Sequence, residues 1–228
     1  MADSKEFTGV VLVADLSGYY ALTEAHGSVS AATIVTRYVE IVKGTLFPGT
    51  RLAERVGDEV VIVGDDVVSI LETAIKLRDA IEREPYFLAI HAGIHVGSIL
   101  KQAGQYFGTA LNLASRVASY ARGDQVLCTE KVVALAGNLE DMEFHDLGPI
   151  RFKNIPEPVV VFEVVSEGQE GGAKLFDPVC HMQVSQDIAP ARLPFGDKTY
   201  YFCSFACAKI FTEHPDRYVG ERNEDTRT

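Results

Sequence analysis

The chain lacks a surplus of positive charge: 21 Lys and Arg stand against 32 Asp and Glu, a net charge of −11. With a pI near 5.0, that balance argues against a nucleic-acid surface or an anionic membrane surface as partner. It also lacks any run of 18 apolar residues, which argues against a spanning helix. Met1-Ala-Asp-Ser-Lys-Glu6 has neither the basic nor the apolar region of a secretory leader, so the expected location is the cytoplasm. Cysteine is scarce, with four residues in 228, and three of them (Cys180, Cys203 and Cys207) cluster late in the chain. In a reducing compartment such a cluster reads as metal ligands rather than disulfide partners. What is present is ordinary for a soluble protein: 47% hydrophobic and 23% charged residues, in a length that suits one full domain and a small one.

The stretch Arg55-Val-Gly-Asp-Glu-Val-Val-Ile-Val-Gly64 places Gly57-Asp58 between two apolar runs, a tight-hairpin pattern that holds the Asp58 carboxylate at a strand end. A second acid, Asp15, closes the buried run Val10-Val-Leu-Val-Ala-Asp15. Either Asp alone caps a turn often enough; together they suit a hard cation such as Mg²⁺ or Mn²⁺.

Along the chain, 7–15 reads as a strand and 17–47 as helical, with a break near Gly27-Ser28. Pro48-Gly49 leads into the hairpin, and 67–81 repeats apolar residues at helical intervals. A strand follows over 87–97, then a helix over 110–121, a strand over 126–129 and a short helix over 132–136. Strands at 144–152 and 159–165 close the first domain. This order predicts an α+β sandwich, one sheet with helices packed on it. The expected boundaries are a domain over 1–165, a glycine-rich linker over 166–174, a compact unit over 175–219 and a tail over 220–228.

Val13-Ala-Asp-Leu-Ser-Gly-Tyr19, Val56-Gly-Asp-Glu59, Gly93-Ile-His-Val-Gly97, Tyr106-Phe-Gly108, Asn112-Leu-Ala-Ser-Arg116 and Leu147-Gly148 occur in the order and spacing of a class III nucleotidyl cyclase catalytic domain. Over residues 7–165 the chain resembles that family. The resemblance implies a ferredoxin-like, palm-type sandwich in which two metal ions per active site, Mg²⁺ or Mn²⁺, sit on Asp15 and Asp58, with Leu16 beside them. It implies in-line attack of the ribose 3′-hydroxyl of a nucleoside triphosphate on the α-phosphate, with pyrophosphate leaving. Asn112 and Arg116 lie four apart and share a helix face. The family's Asn orients the ribose and its Arg stabilises the pentavalent phosphate. The resemblance also implies head-to-tail homodimers, one chain giving the carboxylates and the other the Asn and Arg.

Two positions depart from the adenylyl pattern, Glu54 where a Lys stands and Gln105 where an Asp stands. A carboxylate can accept from guanine N1–H and the 2-amino group, and a Gln amide can donate to O6, so the pair leans towards GTP over ATP. The Leu16-Ser17-Gly18 amides are candidates for a phosphate cradle, and Lys101 and Lys153 for triphosphate contacts.

The late unit resembles a YHS domain, a small metal-associated module, through Phe176-Asp-Pro-Val-Cys-His-Met182, Thr199-Tyr-Tyr-Phe-Cys-Ser-Phe-Ala-Cys207 and Pro215-Asp-Arg-Tyr218. Three thiolates suit Zn²⁺ or Cu⁺, with His181 or His214 as a fourth ligand; buried small hydrophobes are the alternative. Cys128, His91 and His95 read as packing residues. The expected enzyme is thus a cytoplasmic, homodimeric cyclase with a regulatory YHS module. The alternative is an inactive cyclase-like dimer that binds nucleotide or metal as a sensor.

Overall fold

A computed structural model describes residues 4–166 and 174–219. The expected linker, apart from Ser166 and Lys174, and the tail lie outside the described residues. The described residues form two compact units: one takes 4–17, 35–83 and 89–166, the other 18–34, 84–88 and 174–219. Segments 18–34 and 84–88, which precede the linker in sequence, therefore pack with the cysteine-containing end of the chain. Among the described residues no helix is long and apolar enough to cross a membrane.

The elements of the first unit begin with β1 (Ser4–Leu16), β2 (Thr50–Val56), β3 (Glu59–Gly64), β4 (Ile90–Gln102) and β5 (Gln105–Phe107). They continue with β6 (Val126–Thr129), β7 (Met142–Ile150) and β8 (Val159–Ser166). These eight strands form one sheet in the order β2-β3-β1-β4-β6-β8-β7, with β5 paired to β4. All pairs are antiparallel except β4 with β6. The β1–β4 ladder is the backbone of the unit, in unbroken register from Ser4↔Gln102 to Leu16↔Ile90. The alternation of β1 sends Val11 and Val13 to one face. There they pack under Ala110, Ala114 and Ala118 of α3 (Thr109–Tyr120). Leu12 and Ala14, pointing the other way, are also fully buried.

The helix α2 (Val67–Glu82) packs on β1, β3 and β4 and starts at Asp66, whose carboxylate accepts from Ser69 N at 2.8 Å. The short α4 (Glu130–Ala136) follows β6 directly. The long α1 (Tyr19–Thr45) is two helices merged across Gly27, whose φ of 80° and ψ of 163° only glycine adopts without strain. The break expected near Gly27-Ser28 is therefore present, and the chain passes from one unit to the other within the second of these helices, between Ile34 and Val35.

The second unit has two small antiparallel pairs, β9 (Leu175–Phe176) with β10 (Gln183–Val184) and β11 (Ala191–Phe195) with β12 (Lys198–Phe202). They are followed by α5 (Phe205–Glu213) and α6 (Asp216–Val219). So small a module has little apolar area to bury, and it concentrates aromatic contacts on Phe211. That ring meets Phe195, Tyr200, Phe202 and Tyr218 with centroids 5.0–6.0 Å apart. Residues 84–88 join it through hydrogen bonds: Gln183 N donates to Phe87 O at 2.8 Å, and the Tyr86 side-chain Oη donates to Ile188 O at 2.6 Å.

Candidate functional site

Gly57 takes φ 63° with open space where a Cβ would stand, and the hairpin closes with Val56 opposite Glu59. Because β3 pairs with β1 at Ala14↔Val60, the hairpin tip lies beside the end of β1. There the carboxyls of Asp58 and Asp15 are within hydrogen-bond reach. Asp15 is opposite His91 in the β1–β4 register. His91 Nε2 lies 3.8 Å from Asp15 Oδ2, and its Nδ1 is 3.0 Å from Ser17 Oγ. Burial, then the Asp15 charge, push the Asp58 carboxyl up to about 6. Burial also raises Asp15, and burial followed by the Asp58 charge raises Glu59. Among the described residues, the fully buried Tyr38 hydroxyl near these acids has no hydrogen-bond partner. Asp15 Oδ1 is likewise buried and, among the described residues, has no hydrogen-bond partner. A buried anionic oxygen without a donor is costly, and oxygen donors of this kind fit Mg²⁺ or Mn²⁺.

The raised Asp58 value has a stability consequence with a definite sign. A carboxyl whose folded value exceeds its unfolded value favours the fold at low pH, and that contribution disappears as pH rises from about 4 to about 6. Asp58→Asn removes the charge that the fold disfavours. In chelator, the variant should gain about 1 kcal/mol on wild type between pH 4 and pH 7, allowing for solvent screening of a part-exposed group. Urea unfolding at the two pH values measures this gain. An unchanged gap would mean that the fold does not raise the Asp58 carboxyl.

Glu54 follows a β-bulge between Leu52 and Glu54 in β2, a device that re-aims side chains. Its Oε1 accepts from Tyr106 N at 3.1 Å, which places Glu54 next to the exposed Gln105. Arg51 Nε donates to Tyr106 Oη at 2.9 Å, and Lys101 Nζ lies 5.4 Å from the centre of the same ring. Asn112 and Arg116 stand on the exposed face of α3, opposite its buried alanines. Lys153 is exposed in the turn after β7. Ser17 N donates to Ala89 O at 2.7 Å, so this amide is already engaged. A Cβ at Gly18 would stand 2.6 Å from His181 Cβ, so glycine there serves a close approach.

In the second unit, Cys180, Cys203, Cys207 and His26 offer ligand atoms that all lie within 4.8 Å of one another. The Cys180 and Cys203 sulfurs are 3.5 Å apart, and those of Cys203 and Cys207 are 3.7 Å apart. His26 Nε2 is 3.4 Å from Cys203 Sγ and 3.3 Å from Cys207 Sγ. The fully buried Asp177 carboxylate fixes both cysteine segments: Oδ1 accepts from Val179 N and Cys180 N, and Oδ2 from Cys203 N. Ser204 caps α5 by accepting from Cys207 N at 3.1 Å, which puts Cys207 in the first helical turn. Hydrogen bonds from Cys180 and Cys203, then from Ser204, together with the His26 charge, hold the Cys207 thiol well below the usual range.

Two residues at these clusters differ from the sequence expectation. His91, read as packing, touches both Asp15 and Ser17; only the β1–β4 register puts it there, and no local pattern encodes a register. His26, not His181 or His214, completes the cysteine cluster. His181 packs against Gly18 with φ 64°, and His214 ends α5 in an exposed position. His26 lies 177 positions from Cys203, and its local cue is the Gly27 that ends its helix. His95 and Cys128 are buried packing residues: His95 Nδ1 is 2.8 Å from Thr129 Oγ1, and burial pushes the Cys128 thiol up to about 12.

Residues 175–222 match the YHS domain family. The N-terminal part is similar to a pH-sensitive adenylate cyclase of Mycobacterium tuberculosis, 28% identical over 157 residues, or 68% of this chain and 40% of that protein. The chain thus spans less than half the length of this relative. Among solved structures, the adenylyl cyclase CyaB from P. aeruginosa superposes with a TM-score of 0.65 at 20% identity, covering 75% of this chain and all of that one. The guanylyl cyclase Cya2 gives a TM-score of 0.59 at 16% identity, covering 75% and 98%. At such identities the structures establish the fold. The chain thus carries an N-terminal part with the fold of, and sequence similarity to, class III adenylate/guanylate cyclases, followed by a C-terminal match to the YHS domain family.

Proposed function

We propose that the protein is a homodimeric nucleotidyl cyclase that converts GTP, in preference to ATP, to its 3′,5′-cyclic monophosphate and pyrophosphate. The observation that carries this reading is the buried, unpaired Asp15 Oδ1 beside Asp58 at the end of β1. These two carboxylates, with Leu16 next to them, are the groups to hold Mg²⁺ or Mn²⁺. Two such ions, when bound, lower the pKa of the ribose 3′-hydroxyl and neutralise charge on the phosphate oxygens.

The chain's own residues position the substrate. Asn112 orients the ribose, and Arg116, a forked cation on the same exposed face of α3, stabilises charge on the α-phosphate. Both act on the site formed by the carboxylates of the other protomer. Glu54 and Gln105, adjacent through the Glu54–Tyr106 N bond, read the base: the carboxylate accepts from guanine N1–H and the 2-amino group, and the amide donates to O6. Ser17, Gly18, Lys101 and Lys153 are the residues we assign to the triphosphate, Ser17 through its hydroxyl since its amide donates to Ala89 O. The cysteine cluster holds Zn²⁺ or Cu⁺, and the YHS module regulates turnover through it.

Purified protein with Mn²⁺ and either GTP or ATP, its product identified by mass spectrometry, tests the reading. Cyclic GMP as the main product is expected. Cyclic AMP alone would keep the reaction and overturn the Glu54–Gln105 assignment. No product from a confirmed dimer would make the protein a nucleotide-binding sensor instead. Stoichiometric Zn²⁺ or Cu⁺ that leaves the rate unchanged would remove the regulatory role from the YHS module.

A further inference from the structure

We propose that His26 is the fourth ligand of a Zn²⁺ site built with Cys180, Cys203 and Cys207, so that one ion clips α1 to the cysteine segments. This deepens the metal reading of the cysteine cluster and stands independently of the cyclase reaction. Zn–S bonds of about 2.3 Å and Zn–N bonds of about 2.0 Å around a tetrahedral centre put neighbouring ligand atoms about 3.5–3.8 Å apart. The separations of 3.3, 3.4, 3.5 and 3.7 Å lie within about 0.3 Å of those values, and the two remaining pairs fall within 4.8 Å.

A disulfide accounts for less. It joins two sulfurs at about 2.05 Å, whereas here three thiols are free and an imidazole nitrogen converges on two of them. Three thiolates and one imidazole form a closed N/S set, the composition of a structural zinc site rather than one with an open catalytic position.

The surrounding residues build the set. Cys180 and Cys207 are fully buried, Cys203 is half-buried, and the Asp177 carboxylate pins the main chain of Cys180 and Cys203. On the other side, Gly27 leaves the helical conformation immediately after His26. The ring is therefore presented from the last turn of a short helix that begins at Tyr19. Metal loading thus fixes the first turns of α1, and it closes a loop of 177 positions between His26 and Cys203, a constraint that acts on the unfolded chain.

The full-length protein, thiol-reduced and stripped of metal, should take up one Co²⁺ per chain. The complex should show the thiolate charge-transfer band and the intense visible bands of tetrahedral cobalt, and one Zn²⁺ should displace the ion. His26→Ala should weaken Zn²⁺ binding by at least about tenfold to a hundredfold, since loss of a group that merely orients a ligand costs that much. It should also alter the visible bands and abolish most of the rise in Tm that Zn²⁺ gives wild type. His26→Cys should restore tight tetrahedral binding with a stronger charge-transfer band, which separates ligation from a folding defect. His214→Ala should leave the spectrum unchanged. The proposal is overturned if His26→Ala keeps wild-type affinity and spectrum, or if reduced wild type binds neither Co²⁺ nor Zn²⁺.

Discussion

Asp58→Ala is expected to lower cyclic nucleotide formation by about three orders of magnitude or more, because metal-borne charge stabilisation contributes several kcal/mol and each 1.36 kcal/mol is tenfold in rate. The loss should come without unfolding. Asp58 is half-exposed at a hairpin tip whose turn depends on Gly57, and its charge is opposed by Asp15. On the proposed mechanism, in which Arg116 is assigned to the charge that develops on the α-phosphate, Arg116→Ala should be comparably inactive on its own. If one protomer supplies the carboxylates and the other supplies α3, a mixed dimer of the two inactive variants contains one site with both lesions and one intact site. Equal mixing should then recover up to about a quarter of wild-type activity. Assays of each variant alone and of the refolded mixture decide it. Recovery near zero, with mixed dimers verified by mass, would put the carboxylates and Arg116 in one protomer's site.

Gly93→Ala should be the most damaging small substitution in the first unit. A Cβ at this point of β4 would stand 2.8 Å from Ala118 Cα and nearer still to Ala118 N and Ala114 O. These are backbone atoms of α3, which no rotamer change can move aside, so the helix has to lift off the sheet. Overpacking against backbone should cost about 3 kcal/mol or more, a fall in Tm of roughly 6–12 °C for a domain of this size. The helix that lifts carries Asn112 and Arg116, and a misplacement of about 1 Å costs on the order of a hundredfold in rate. Activity should therefore drop more than the folded fraction does. Gly44→Ala provides the contrast. Gly44 lies near the end of α1, and a methyl group added there would meet nothing within 4 Å, so alanine should stabilise by about 0.5–1 kcal/mol. Thermal melts of both variants test the pair. A Gly93→Ala protein that melts with wild type would mean that α3 is not held this close to β4.

What could be read in the chain was what short-range physics encodes. Glycine and aspartate between two β-branched runs specify a hairpin wherever they occur, so Asp58 at a strand end was visible at once. Apolar residues at helical intervals mark α2, and the four-residue spacing of Asn112 and Arg116 on α3 already implied a shared face. Gly27-Ser28 announced a break in the first helix because glycine there can take a conformation others avoid. The three clustered cysteines suggested metal ligands through their composition.

Tertiary structure decided which of these local features meet. The β1–β4 register brings His91 opposite Asp15, and a slip of one residue would have turned His91 to the other face. The bulge in β2 carries Glu54 to the Tyr106 amide, next to Gln105. The segments 18–34 and 84–88 pack with the late cysteine unit, and so His26, unremarked in its own neighbourhood, arrives at Cys203 and Cys207. By itself the sequence marked most elements of the first unit, the acids and the thiols, since propensity and periodicity act over a few residues. The partners of those groups came from strand register and chain packing, because contacts between residues far apart in the chain depend on the whole fold and leave no pattern in any short stretch of it.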